Sequence, residues 1–427
     1  MTLEERNLSN YYQASAPAWA PRPALAGEQS CDVVVVGAGL AGCSAALELA
    51  QRGFSVTLLE ARQVGFGASG RSGAQLIAGY ACGQDRIEAL VGREAARALW
   101  DISVEGLDLI RQRVAQHAID CDLSWGHLLV ALKDRQRREL EEEYQKLSGE
   151  YGYASLSLLD QATVRSKVAS GRYVAGLLDE RSGHCHPLKY VQGLAAAGEA
   201  AGVKLFEGSP VVKVSRGREL VFETPSGRLR SRFAVLAGNC HLGGLVPELR
   251  RKIMAVGTYI VATETLQPER AAALLADNLA VSDINFVLDY YRLSADHRLL
   301  FGGRVSYSGL DPLGTSRATR ARMLKVFPQL RDVAIDYAWG GYVDITVNRA
   351  PHFGRLDDNL YFLQGFSGHG MALTGVAGRL AAEAIAGQAE RLDLYAKIRH
   401  LDFPGGLALR RPALVLAMLW YRLRDLL

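Results

Sequence analysis

The chain has 427 residues, 49% of them hydrophobic and 22% charged. That is enough to bury a large core in one large or two medium domains. Basic residues exceed acidic ones only slightly, 49 against 45, and no lysine or arginine tract occurs. This argues against a nucleic-acid partner, and no run of about eighteen apolar residues is present to span a membrane.

Residues 1–30 read as an extended arm rich in proline and alanine. The opening Met-Thr-Leu-Glu-Glu-Arg-Asn lacks an apolar core, so no signal peptide is predicted. The six cysteines (31, 43, 82, 121, 185 and 240) are scattered, with no CxxC and no metal-ligand spacing. A reducing cytoplasm and no metal are expected.

Val33 to Val36 read as a buried parallel strand. Gly37-x-Gly39-x-x-Gly42 follows, opening a helix through Leu40, Ala41 and Ala45 to Leu49. A second strand, Ser55 to Leu59, ends at Glu60, followed by Ala61 and Arg62. Gly37 permits the turn, Gly39 lets a pyrophosphate approach the backbone, and Gly42 lets helix and strand pack closely. The helix N-terminus offers N–H groups and partial positive charge. Glu60 stands about twenty residues on, where a carboxylate binds the two hydroxyls of an adenosine ribose. The pattern predicts a dinucleotide site, disfavours NADP, and leaves FAD and NAD open.

Residues 65–73, Gly-Phe-Gly-Ala-Ser-Gly-Arg-Ser-Gly, form a glycine-dense loop. Residues 87–117, 134–150 and 188–201 read as helices, and the charged run 134–143 as a solvated helix face. Short strands follow at 203–206, 210–215, 219–224 and 228–237, the last running into Gly238. Residues 254–263, 286–293 and 299–305 alternate as strands of a separate antiparallel sheet, with a helix near 314–327. Residues 359–363 read as a buried strand, 365–370 as a loop, and 371–387 as an Ala/Gly-rich helix suited to tight packing. The apolar piece 411–427 reads as a docked helix, with weak membrane contact as the alternative.

Both glycine loops expose backbone N–H groups. An isoalloxazine ring becomes electron-rich on reduction, and a helix N-terminus at Gly368 to Met371 would stabilise it. NAD has no such need, so the loops favour FAD.

Several motifs carry a family resemblance: Gly65-Phe-Gly-Ala-Ser-Gly-Arg71, Gly183-His-Cys-His-Pro187, Leu288-Asp-Tyr-Tyr-Arg-Leu293, Phe353-Gly-Arg355, Gly365-Phe-Ser-Gly-His-Gly370 and Phe403-Pro-Gly-Gly406. With them the chain resembles the D-amino-acid-oxidase-type flavoproteins, and among these the γ-glutamylputrescine oxidases, with L-pipecolate-type oxidases as near relatives. The resemblance implies an α/β fold: a discontinuous, Rossmann-like FAD-binding domain of glutathione-reductase type, and an α+β substrate domain with an antiparallel sheet. The expected division is an arm at 1–30, FAD-binding parts at 31–90, 151–250 and 348–400, a helical part of the substrate domain at 91–150, a substrate domain at 251–347 and a C-terminal segment at 401–427.

The resemblance also implies site residues. Glu60 would bind the ribose, with Gly37, Gly39 and Gly42 at the pyrophosphate. Ala68, Ser69, Gly70, Arg71, Ser72, Gly73, Ala74 and Gln75 would run toward the flavin. Val212 would meet the adenine by its backbone, and Gly238 would lie at the nucleotide sheet. Gly368, His369, Gly370 and Met371 would edge the ring. Ser72 departs from the asparagine common in that loop. O2 is the expected acceptor; no lysine matches the one that some relatives place beside the flavin to help oxygen react, which keeps a quinone as the alternative. No cysteine follows Cys240, which excludes a cysteinyl link there; noncovalent FAD is expected, with a histidyl link near His369 as the alternative.

The implied reaction removes a hydride from the carbon beside an amine nitrogen, giving an imine and H2O2, in polyamine or amino-acid catabolism. The flavin carries the chemistry. His369 is expected to fill the loop and bond the flavin. A substrate carboxylate wants a guanidinium fork; Arg304 and Arg349 are the first candidates and Arg292 the third. Tyr259, Tyr290, Tyr291, Tyr342 and Trp339 are candidates for the pocket wall. His184 and His186 read as a structural turn before Pro187.

Overall fold

The computed structural model describes residues 10–285, 287–306 and 315–404, with the backbone alone for 304–306 and 315. The expected C-terminal helix at 411–427 lies outside the described residues, as does the Arg304 side chain.

Two sheets organise the chain. The first runs His352–Asp357, Leu360–Gln364, Gly227–Leu236, Gly27–Val36, Val56–Leu59 and Lys204–Phe206 in spatial order. Its four central pairings are parallel. The valine run is buried on both faces, and alternation divides it. Val33 and Val35 join the large core beneath the helices, while Val34 and Val36 join a smaller core with Leu236, Phe222 and Leu360. A strand buried on both faces needs such a run, because successive side chains point to opposite sides.

Helix Leu40–Gln51 packs against Pro187–Ala200 and Gly370–Ile385. The last is the expected Ala/Gly-rich helix, and its packing is tight: a Cβ at Gly378 would lie 2.6 Å from the Ala45 nitrogen. Ser44 Oγ donates to the Gly375 carbonyl at 2.6 Å across the same crossing.

The second sheet runs Ile335–Ile345, Met254–Thr263, Leu299–Ser306, Tyr290–Leu293, Ala280–Asp283, Ser124–Ala131, Ala175–His184 and Gln75–Leu76, with Leu156–Asp160 beside Ala175–His184. Its pairings are antiparallel except that of Ala280–Asp283 with Ser124–Ala131. The expected domain limits need correction here. Strands Leu156–Asp160 and Ala175–His184 belong to this sheet, not to the nucleotide unit. Helix Arg93–Gln116 packs on Gly370–Ile385 of the nucleotide unit, with Gly106 against the Ala372 carbonyl and Arg113 paired to Glu48 at 2.9 Å. The chain crosses between units more often than blocks of similar pattern suggest.

Other local expectations also shift. Gly92, at φ +82°, divides the 87–117 helix into Gln84–Val91 and Arg93–Gln116. The arm is not simply extended: Tyr11–Ser15 is a short helix capped by Asn10, with Tyr11 and Tyr12 buried.

Candidate active site

Four parallel strands end on one edge, and each runs directly into a singled-out residue: Gly37, Glu60, Gly238 (by way of Ala237) and Gly365. In open α/β sheets ligands bind outside the carboxyl ends of the strands. A Cβ at Gly42 would fall on the Gly37 carbonyl oxygen, deep inside van der Waals contact. Only glycine therefore lets the helix start this close to the strand. That helix opens at Gly39 with no side-chain cap and no acidic residue in its first turn. Ser69 Oγ accepts the Leu40 N–H at 2.9 Å and fills the space a Cβ on Gly39 would need. The Glu60 carboxylate accepts from Ala38 N–H at 2.7 Å and Arg62 N–H at 2.9 Å, which fixes it beside the glycine turn. Burial pushes its carboxyl up, and these two N–H groups oppose the shift.

The loop after Gly67 makes a 3-10 turn at Ala68–Gly70 and then crosses to the second sheet, where Gln75 pairs with His184. Four successive carbonyls are pinned by buried donors from distant segments. Asn10 Nδ2 donates to Gly70 (3.3 Å), Trp339 Nε1 to Arg71 (3.0 Å), Tyr12 Oη to Ser72 (2.9 Å) and Arg292 Nε to Gly73 (3.2 Å). Arg71 is itself buried and donates to the Phe66 (2.8 Å) and Gly340 (3.3 Å) carbonyls. Ala74, held at φ +61°, is fully enclosed.

The Gly365 loop is held by Asp344 of the second sheet. Its buried carboxylate accepts the Gly365 N–H and the Asn239 amide (2.8 Å), and its carbonyl accepts Ser367 N–H (3.0 Å). Gly365 sits at φ +78° with Thr346 2.7 Å from where a Cβ would be, so another residue would be both strained and crowded. His369 Nε2 lies 2.9 Å from the Ala78 carbonyl and donates to it. Burial lowers the affinity of this imidazole for a second proton. Helix Gly370–Ile385 starts here without a side-chain cap or an acidic first turn. Met371 Sδ accepts from Ser72 Oγ at 3.3 Å, joining the two glycine loops.

A cavity of about 750 Å³ opens from Ser72–Gln75 and Gly368–Met371 and is roofed by the second sheet. Of the candidates, Arg349, Tyr290 and His369 line it. Arg292 does not: it is buried, and its guanidinium holds the Gly73 and Leu293 carbonyls and the Tyr12 hydroxyl. Tyr259, Tyr291, Tyr342 and Trp339 also lie off the lining. Tyr291 donates to Tyr173 Oη (2.9 Å) within a separate core cluster. The Val212 N–H is paired with the Glu223 carbonyl at 2.8 Å, so it is not a donor for an adenine. The charged run 134–143 is not wholly a solvent face, because Glu139, Glu142 and Glu143 border the cavity, near Asp85 and Lys146. His184 and His186 are structural: His184 reaches the Asn278 carbonyl at 2.8 Å, and His186 accepts the Lys189 N–H. No described residues form a group of metal-ligand type, and no described helix is long and apolar enough to cross a membrane.

Sequence reasoning missed Asn10, Tyr12, Asp344 and His127, which act through contacts remote in sequence. Only the aromatic pair at 11–12 within a polar arm hinted at burial.

The strand-edge glycines, the two helix starts free of acidic residues and the adjoining cavity define a nucleotide-cofactor enzyme. The chain belongs to the FAD dependent oxidoreductase (DAO) family, whose model matches residues 32–384, and its cofactor is FAD. It is 44% identical to the gamma-glutamylputrescine oxidoreductase of Escherichia coli, over 98% of each chain. It is 40% identical to the probable oxidoreductase OrdL of Haemophilus influenzae, over 99% of this chain and 98% of that one. Among solved structures, glycine oxidase from Geobacillus kaustophilus matches with a TM-score of 0.73 at 20% identity, over 87% of this chain and 99% of that one. L-Proline dehydrogenase from P. horikoshii matches with a TM-score of 0.71 at 20% identity, over 89% and 98%. These two likenesses establish the fold.

Proposed function

We propose that this enzyme oxidises a primary amine on a long polar substrate, of the γ-glutamylputrescine kind, to an imine, with O2 as acceptor and H2O2 as product. The 44% identity to a gamma-glutamylputrescine oxidoreductase over nearly the whole length carries this reading. The cavity supports it. The acids along its wall, Glu139, Glu142 and Glu143, suit a cationic chain.

The residues present fit FAD. Gly37 and Gly42 let helix Leu40–Gln51 start hard against its strand, and the turn from Gly37 through Gly39 to Leu40 and Ala41 would meet the pyrophosphate, with Ser69 Oγ on the Leu40 N–H. Glu60 keeps lone pairs for ribose hydroxyls, and Ala61 and Arg62 follow it on the surface. Ser69 to Gln75, after Ala68, lead toward the ring, which Gly368, His369, Gly370 and Met371 border. Bound there without a covalent link, FAD supplies the acceptor for a hydride leaving the carbon beside a nitrogen. The protein orients the amine, keeps the loops rigid and shields the site. Arg349, on the cavity wall, would hold a substrate carboxylate.

The test is a panel of γ-glutamylputrescine, putrescine, L-pipecolate, L-proline and sarcosine, with peroxide as the readout. Highest kcat/KM for γ-glutamylputrescine is expected. A preference for L-pipecolate or L-proline would replace this substrate with a cyclic imino acid. Reduction by the amine without reoxidation in air would replace O2 with another acceptor.

A further inference from the structure

His127 stands on strand Ser124–Ala131, which pairs in parallel with Ala280–Asp283 so that Leu129 faces Ser282. His127 and Leu129 are two residues apart and share the cavity side of the sheet. The diagonal neighbour Ser282 brings its Oγ to 3.0 Å from His127 Nε2. Both side chains are more than nine-tenths buried, and both line the cavity. That hydrogen bond fixes the ring, and no described residue bonds the other nitrogen, Nδ1. The roof therefore carries a buried, oriented imidazole with one free polar atom, in a wall that otherwise includes Leu129, Leu177 and Val256. His127 and His369 line the same cavity, so the roof ring and the 365–371 loop face one space.

We propose that His127, oriented by Ser282, is the substrate-recognition residue on the cavity roof, its Nδ1 accepting an N–H of the substrate amine. The inference rests on the amine reading above. Burial holds the imidazole far below its ordinary range, to about 3, so the ring stays neutral and keeps a lone pair. In the tautomer whose Nε2–H donates to Ser282 Oγ, that lone pair lies on Nδ1. A neutral acceptor suits the reaction. It holds the amine through a hydrogen and leaves the nitrogen lone pair free to drive hydride departure. No acid/base step is assigned to it.

The test compares a primary amine with its N,N-dimethyl analogue, which has no N–H when neutral. Dissociation constants come from the anaerobic reduction or spectral perturbation of FAD-loaded protein. His127→Phe should weaken the primary amine about tenfold, the worth of one hydrogen bond, and leave the dimethyl analogue unchanged. His127→Asn, which keeps an acceptor near the Nδ1 position, should recover most of the loss. If the Phe variant fails to load FAD, Ser282→Ala against His127→Asn gives the same contrast in weaker form. Equal losses with both amines, or none, overturn the assignment. Wild-type enzyme that no amine reduces would instead overturn the amine reading, and this inference with it.

Discussion

Tyr12→Phe isolates one hydroxyl in the support of the glycine loop at 65–73. The ring would keep its edge contacts with Trp339 (5.2 Å) and His186 (5.0 Å). The lost hydroxyl donates to the Ser72 carbonyl at 2.9 Å and accepts from Arg292 at 3.2 Å. The variant thus leaves a buried carbonyl and one guanidinium N–H without partners. A neutral bond is worth about 1 kcal/mol and one to a charged group about 1.5–3 kcal/mol. A loss of roughly 2–4 kcal/mol is expected when both go. The urea midpoint of the apoprotein should fall at an unchanged slope. FAD binding should weaken, with Kd rising about tenfold or more as the Ser72 carbonyl loses its anchor and Arg292, which holds Gly73, loses its Tyr12 partner. Unchanged midpoint and unchanged Kd would refute the claim that the arm braces the loop.

Three further outcomes follow from the geometry. Gly42→Ala places a methyl on the Gly37 carbonyl, so protein purified from this variant should hold little FAD; full loading would show that the turn can yield. Asp283 is buried beside Asp289, which lifts its carboxyl to about 7. Because its folded affinity for protons exceeds the unfolded one, stability should fall as pH rises from about 4 to 7, by an amount on the order of a few kcal/mol. Asp283→Asn should flatten that slope in urea titrations, and an unaltered slope would remove Asp283 as its source. Arg349→Ala should raise KM for substrates bearing a carboxylate and spare plain diamines; an equal rise for both would make the residue structural.

The nucleotide edge was legible because it is local. Val33 to Glu60 supply strand, turn, helix, strand and acid within one βαβ unit, and Gly42 is required by a contact only five residues away. The second glycine loop was legible for the same reason, since Gly365 directly follows a buried strand. What holds these loops was not. Asn10, Tyr12, Arg292, Trp339 and Asp344 reach them from segments far away in sequence, and nothing in their neighbours says which backbone group each will hold. Arg292 illustrates the limit: an arginine in the substrate sheet suggested a carboxylate fork, yet its register points it at the Gly73 carbonyl. Sheet membership was hidden likewise, because strands Leu156–Asp160 and Ala175–His184 alternate no differently from those of the other unit. His127 was passed over because one histidine in an apolar strand gives no sign of facing a cavity until the pairing with Ser282 is known.

Anaerobic titration of FAD-loaded enzyme with γ-glutamylputrescine tests the central claim most directly. The account requires the yellow flavin to bleach in proportion to substrate, with an aldehyde released as the imine hydrolyses and peroxide formed when air is admitted. A flavin that stays oxidised with this and every other amine would contradict it.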